Sequence, residues 1–357
     1  MISLQSLRAR RGKFAIHDIS FDVPSGAYGM IIGPAGAGKT TTLETIAGLI
    51  PARSGRVLLR GTDVTTLAPE RRELAIVYQH ACLFPHLTVG ENIHYGARDS
   101  AFANDLAERF GVSPFDTRNV ETLSGGERQL VAIVRALASR PEVLLLDEPF
   151  AALDPRTRAG ARRALKVAHA ERQFTILHVT HDFNEAGSLG DVAMLMDAGR
   201  VVQTGPPAEV FRKPATPYAA SFLGAENILA GTASPIRDRS PDWSSADPAA
   251  FEEHAVAFSV GGLTLYAIGD ALPGPANAVI RAEEIAIYLE ASASSVRNQF
   301  PGRVIEIFPG GAITRVTVDV AGTPLVAALT SRSVDELQLA VGREVVVAFK
   351  ATAVHLC

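Results

Sequence analysis

Three glycines, a lysine and a hydroxyl residue share the octet Gly33-Pro34-Ala35-Gly36-Ala37-Gly38-Lys39-Thr40. Glycines let backbone N–H groups wrap phosphate oxygens, a helix N-terminus adds positive potential, Lys39 reaches β and γ phosphates, and the Thr40 hydroxyl, with Thr41 behind it, can meet Mg²⁺ and phosphate. A second constellation follows at 143–148, where four apolar residues end in Asp147 and Glu148. Acids at a strand end can deliver one carboxylate to Mg²⁺ and the next to the attacking water, so Asp147 completes a metal shell and Glu148 polarises the nucleophile. Alone, the octet could be a glycine-rich turn and the acids helix caps. Together they describe nucleoside-triphosphate chemistry.

These residues need a strand before the loop and a helix after it, and the sequence supplies both at 27–32 and 40–49. Short β-rich runs then alternate with helical ones at 143–147 and 156–170, and at 175–180 and 184–189. This alternation predicts an α/β domain with a largely parallel sheet over residues 1–224. Beyond Gly224 the runs 255–260, 263–268, 303–308, 313–320, 324–329 and 344–349 are rich in Val and Ile and bounded by Gly or Pro. Such spacing predicts a second, all-β domain of small barrels over 225–357. Gly261-Gly262 marks a hairpin, 234–250 reads as a surface loop, and the segments 278–289 and 346–357 echo one another, hinting at a duplicated β unit.

The chain has 357 residues, enough for two cores, and its 34 basic against 38 acidic side chains give a net charge of −4. Residues 1–224 hold 25 Lys+Arg and 23 Asp+Glu, and residues 225–357 hold 9 and 15, so the second domain is the acidic one. No run of like charge favours nucleic acid, and the arginines at 156–163 read as a solvated helix face. No stretch is long enough to span a bilayer, and the first residues lack a signal core. Two cysteines, Cys82 and Cys357, make no disulfide framework, and Cys82 with His80 and His86 fits no metal spacing. A cytosolic chain is expected.

Leu123-Ser124-Gly125-Gly126-Glu127 narrows the field. With the two motifs above, it resembles the signature of the ATP-binding-cassette (ABC) ATPases. The resemblance implies a P-loop nucleotide-binding domain with a helical subdomain. It also implies a head-to-tail dimer with a second copy, in which Ser124, Gly125 and Gly126 face ATP held by the partner. By the same resemblance Gln79 touches Mg²⁺ or the attacking water, His181 contacts the γ-phosphate, Asp154 lies in the segment crossing the dimer interface, and Phe14 stacks on adenine. Ala35 and Ala151 depart from the usual small hydroxyl residues. The segment 78–96 is similar to the part of importer ATPases that docks on integral-membrane permease subunits. This layout belongs to importers served by an extracytoplasmic binding protein and implies a location on the cytoplasmic face of the membrane through the permease.

The tail points to cargo. Residues 294–304, with Thr330, Ser333 and 345–352, resemble the molybdate-binding β-barrel (TOBE/Mop-like, OB-like) that ends molybdate importer ATPases. A tetrahedral dianion needs clustered N–H and O–H donors with one or two cations, and Ser295, Arg297, Asn298, Thr330, Ser333 and Lys350 are the expected set. Ala351 stands where a hydroxyl is common. The expected function is ATP-driven import of molybdate or tungstate, with feedback by the oxyanion. The alternatives are a sulfate, sugar, iron or polyamine importer ATPase, or a soluble ABC ATPase.

Overall fold

The computed structural model describes residues 1–236, 255–269, 273–291 and 293–357. They form two compact units, Met1–Val210 and Phe211–Cys357. The division thus falls ahead of Gly224, where the composition changes.

The first unit runs β1 (Ile2–Arg11), β2 (Phe14–Val23), β3 (Tyr28–Ile32), α1 (Lys39–Ala47), β4 (Ala52–Leu59), β5 (Thr62–Asp63), β6 (Ala75–Val77), α2 (Val89–His94), α3 (Ser100–Arg109), α4 (Gly125–Ala138), β7 (Val143–Asp147), α5 (Pro155–Arg172), β8 (Thr175–Thr180), α6 (Phe183–Leu189), β9 (Val192–Asp197) and β10 (Arg200–Gly205). Its main sheet has the order β10-β9-β3-β8-β7-β6, and all neighbours are parallel except β10. Strands β3, β7 and β8 are buried at every residue, which is why their sequences are mainly apolar without alternation, the exceptions being Asp147 at the end of β7 and Thr175, His178 and Thr180 in β8. The parallel arrangement brings the C-terminal ends of β3, β7 and β8 to one edge, where the chemistry-bearing residues lie.

A second sheet, antiparallel and ordered β2-β1-β4-β5, has no counterpart in the sequence-based expectation, which placed no strand before residue 27. Bulges hide it. The β1 register shifts between Leu4 and Leu7, so two buried leucines stand three apart and the alternation of a strand is lost. Helices α2, α3 and α4 pack on one another as the expected helical subdomain. Both α2 and α4 open with a capping box, Thr88 with Glu91 and Ser124 with Glu127.

After α7 (Pro207–Arg212), the second unit contains α8 (Pro217–Phe222) and the strands β11 (Asn227–Pro235), β12 (Ala255–Val260), β13 (Leu263–Ile268), β14 (Gly274–Ile280), β15 (Ala286–Tyr288), β16 (Asn298–Gly310), β17 (Ile313–Val320) and β18 (Thr323–Thr330), then α9 (Ser331–Glu336), β19 (Glu344–Phe349) and β20 (His355–Leu356). Two five-stranded antiparallel sheets result, β13-β12-β11-β14-β20 and β15-β19-β16-β17-β18. They enclose one apolar core that includes Phe258, Leu265, Ile280, Val316, Val347 and Phe349. The expected loop over 234–250 begins as the end of β11, and its residues 237–250 lie outside the described residues.

Candidate functional site

The turn after β3 is forced by its glycines. Gly33 has φ 157°, and a Cβ there would meet the Met196 carbonyl oxygen at 2.2 Å. Gly38, at φ 101°, has no room on its other side, where the Phe14 ring and Ile16 would each stand 3.0 Å from an added carbon. Phe14 therefore packs against the loop from β2, while also joining the apolar core below. Underneath, the backbone amide of Gly199 donates to the Ala37 carbonyl at 2.9 Å. This β9–β10 turn supports the loop and was missed by sequence reasoning, because nothing local in residues 198–199 indicates a partner 162 residues away in the chain.

Lys39 opens α1 and lies buried, its ammonium donating to the carbonyls of Gly33 at 2.8 Å and Pro34 at 2.9 Å. Burial lowers its pKa, and the charges of Glu148 and Asp147 oppose that shift. One residue on, Thr40 Oγ1 donates to Asp147 Oδ1 at 3.3 Å. A hydroxyl and a carboxylate oxygen brought together are the hard oxygen donors that Mg²⁺ takes, so Thr40 and Asp147 would hold it. Asp147 is buried at the end of β7, and desolvation raises its pKa against the opposing hydrogen bond from Thr40. A cation at this place would relieve the cost, so the donor set fits Mg²⁺.

Glu148 follows in the left-handed region, φ 45°, with its amide donating to the Val179 carbonyl of the neighbouring strand at 2.8 Å. That bond turns the carboxylate out of the sheet edge, where Oε2 lies 3.1 Å from His181 Nδ1. Gln79 stands exposed, two residues beyond the end of β6, the strand paired with β7. The loop (Gly33, Pro34, Ala35, Gly36, Ala37, Gly38), Lys39, Thr40, Asp147, Glu148 and His181 thus converge on one edge.

Ser124 is not part of that cluster. It caps α4 by accepting from the Glu127 amide at 3.2 Å and is exposed, as is Gly125. Gly126 approaches the Ala152 carbonyl and the Leu153 side chain, each 3.2 Å from where a Cβ would stand. Asp154 uses its carboxylate to cap α5, accepting from the amides of Arg156 and Thr157 at 3.0 and 3.1 Å. Hydrogen bonding to Thr157, then Arg156, holds its pKa below the ordinary value. The buried Gln129 of α4 donates to the Tyr78 carbonyl at 2.8 Å and so ties the signature helix to the residue before Gln79. This link is legible only in three dimensions.

In the second unit Ser295, Arg297 and Lys350 line one cavity of about 330 Å³, together with Ala255, Tyr266 and Thr352. Asn298 is corrected from the expected anion contact: it is fully buried, its Oδ1 accepts from the Tyr266 amide at 2.7 Å, and its Nδ2 donates to the Tyr266 carbonyl at 2.9 Å. Thr330 and Ser333 do not line this cavity. Thr330 caps α9, and the two hydroxyls bond each other at 2.8 Å.

A phosphate loop after β3, an Asp-Glu pair at the end of β7 and a serine-capped Gly-Gly helix define an ATPase of the cassette type. Comparison with known proteins agrees: the ABC transporter family matches residues 16–151, and the TOBE domain matches residues 294–356. The chain is 39% identical to the molybdate/tungstate import ATP-binding protein WtpC of Pyrococcus horikoshii, over 100% of this chain and 99% of the relative. It is 36% identical to the sulfate/thiosulfate import ATP-binding protein CysA 1 of Chromobacterium violaceum, over 96% and 94% of the two chains. Among solved structures it resembles the dimeric post-hydrolysis state of the ATP-binding cassette MJ0796 bound to ADP and Pi, with a TM-score of 0.53 and 27% identity over 58% of this chain and 99% of that one. The chain belongs to the ATP-binding ATPases of ABC transporters. Among the described residues no helix is long and apolar enough to cross a membrane.

Proposed function

We propose that this chain hydrolyses ATP to drive import of molybdate or tungstate through separate membrane permease subunits, and that the imported oxyanion regulates it through the second unit. The observation that carries the ATPase chemistry is the sheet edge joining Lys39, Thr40, Asp147, Glu148 and His181. Lys39 binds the β and γ phosphates as the buried cation, and Thr40 with Asp147 would hold Mg²⁺, which when bound neutralises phosphate charge. Glu148 orients the attacking water and takes its proton, and Gln79 reaches the same water from the turn beyond β6. His181 is tied to Glu148 and contacts the γ-phosphate.

The Ser124–Gly125–Gly126 helix start, exposed at Ser124 and Gly125, is a second phosphate-binding element, and a head-to-tail dimer completes each site with the partner's copy. The cargo assignment rests on the full-length likeness to the molybdate/tungstate protein and on a cavity carrying Arg297 and Lys350 in an otherwise acidic half of the chain. Location at the cytoplasmic face, through the permease, follows from that role, as does dependence on an extracytoplasmic binding protein. Sulfate is the second reading, favoured by the relative from Chromobacterium violaceum and by the shared tetrahedral dianion.

ATP turnover by the complete permease complex against rising molybdate, tungstate and sulfate tests the proposal. The expected result is inhibition by molybdate and tungstate at micromolar levels and none by sulfate, relieved in Arg297→Ala. An anion that binds the resting arrangement tenfold more tightly than the ATP-closed one supplies about 1.4 kcal/mol of coupling. Unchanged turnover up to millimolar molybdate and tungstate would refute the regulation. Stimulation by the sulfate-loaded binding protein alone would move the cargo to sulfate.

A further inference from the structure

The last two residues of β8 each hold one member of the Glu148–His181 pair. Val179 does so through its backbone, its carbonyl accepting from the Glu148 amide at 2.8 Å. Thr180 does so through its side chain. Its Oγ1 accepts from the Asp182 amide at 3.1 Å, which closes residues 180–182 into a tight turn with His181 at the apex. Asp182 then starts α6, its carboxylate accepting from the Asn184 amide at 2.8 Å and its carbonyl from the amides of Glu185 and Ala186 at 3.1 and 3.2 Å. The exposed His181 ring therefore projects from a turn fastened at both ends, with Nδ1 3.1 Å from Glu148 Oε2.

A hydroxyl has one proton, and at Thr180 its direction is set from α6. Thr180 Oγ1 donates to Glu185 Oε2 at 2.7 Å. Because a carboxylate accepts, this bond sends the proton toward α6 and leaves a lone pair of Oγ1 for the Asp182 amide. Both side chains are buried. Among the described residues Thr180 is the one hydrogen-bond donor to the Glu185 carboxylate, since His178 Nε2 stands 3.6 Å away.

A buried carboxylate with a single hydrogen bond is a poor device for stability, because the cost of taking it out of water is hardly offset. Desolvation accordingly raises the pKa of Glu185. The other buried side chains of α6 are Ala186 and Leu189, and an apolar residue at 185 would pack among them without that cost. What the carboxylate adds is a fixed acceptor for the Thr180 hydroxyl, and through it a fixed seat for His181. The precision matters at this place, since a displacement of about 1 Å at a reacting group can slow a reaction about 100-fold. ATP itself is held by Lys39 and the phosphate loop, which this chain of bonds does not touch.

We propose that Glu185 and Thr180 are positioning residues for ATP hydrolysis: Glu185 orients the Thr180 hydroxyl, and that hydroxyl holds the turn that sets His181 against Glu148. The proposal rests on the reading of His181 as the γ-phosphate contact. Steady-state hydrolysis by the full-length chain, with Mg²⁺ present and ATP titrated, tests it. Glu185→Met keeps the length of the side chain without a strong acceptor, and Thr180→Val keeps the shape without the hydroxyl. Each should lower kcat about tenfold or more and leave KM for ATP within about twofold of wild type. Glu185→Gln retains an acceptor oxygen and Thr180→Ser the hydroxyl, so both should keep most of kcat. Circular dichroism establishes that each variant is folded. Wild-type kcat in folded Glu185→Met or folded Thr180→Val would overturn the proposal, as would a loss in Glu185→Gln equal to that in Glu185→Met. A rise in KM matching the fall in kcat would overturn it too, as the mark of general damage. Where a variant at 185 does not fold, the comparison of Thr180→Ser with Thr180→Val decides on the same terms. Wild-type turnover by His181→Ala would overturn the His181 reading, and the proposal with it.

Discussion

Replacing His178 with Asn is expected to remove much of the acid sensitivity of the nucleotide-binding unit. His178 is fully buried in β8, three residues before His181, with Nδ1 2.9 Å from the Tyr28 hydroxyl. Its Nε2 faces Glu185 Oε2 at 3.6 Å, beyond hydrogen-bond reach, and the Phe150 ring stands T-shaped to it with centroids 5.6 Å apart. Desolvation lowers its pKa from 6.5 to about 3, so the folded protein holds a neutral imidazole. Between those values the unfolded chain binds the proton and the folded chain does not. Stability contributed by this group is therefore complete above pH 6.5 and falls as pH drops through the window. At pH 5 the unfolded imidazole is almost wholly protonated, and linkage puts the loss relative to pH 8 at about 2 kcal/mol. That figure holds for any folded value well below 5. Burial raises the pKa of Glu185 and of Asp147, and these carboxyls act in the opposite direction, so the informative quantity is the difference between wild type and variant. Asn keeps a polar atom near Nδ1 for Tyr28 while leaving a void, at a cost of about 1–3 kcal/mol at pH 8. Urea unfolding of both proteins at pH 8 and pH 5, followed by helical circular dichroism, gives the comparison. Wild type should lose about 2 kcal/mol more than His178→Asn on acidification, and equal losses would refute the neutral buried imidazole.

Glu148→Gln should bind ATP and turn it over at least 100-fold more slowly, because the amide keeps the shape of the side chain and loses the base; steady-state hydrolysis equal to wild type would remove Glu148 from that role. Lys39→Ala should lose nucleotide binding in equilibrium dialysis. Mixing Lys39→Ala with Ser124→Arg chains should restore turnover that neither parent has, since one composite site in the heterodimer escapes both lesions. Gly33→Ala should destabilise the chain by more than about 1 kcal/mol in thermal unfolding, as the added carbon meets the Met196 carbonyl. Asn227→Ala, which removes the bonds of its amide to the Val326 amide and carbonyl, and Asn298→Ala should each cost about 1–3 kcal/mol in thermal unfolding by leaving a strand amide and carbonyl unpaired, and unchanged stability would refute it.

The phosphate loop, the Asp147–Glu148 pair and the Ser124 cap were legible in the sequence because each is a local device: glycine freedom, a strand end or a helix start needs only neighbouring residues. The all-β character of the second half was equally open, since 255–260, 263–268, 313–320 and 344–349 form strands with the bounds read from Val and Ile content. Tertiary structure decided which distant groups meet. It placed Ser295, Arg297 and Lys350 on one cavity, set Thr330 and Ser333 apart from it, and buried Asn298 in a clasp. It also showed that Gly199 supports the phosphate loop and that Gln129 fastens the signature helix beside Gln79. The weak echo between 278–289 and 346–357 did not tell that β15 pairs with β19 and β20 with β14, because strand pairing is made by backbone groups whose partners no side-chain pattern names.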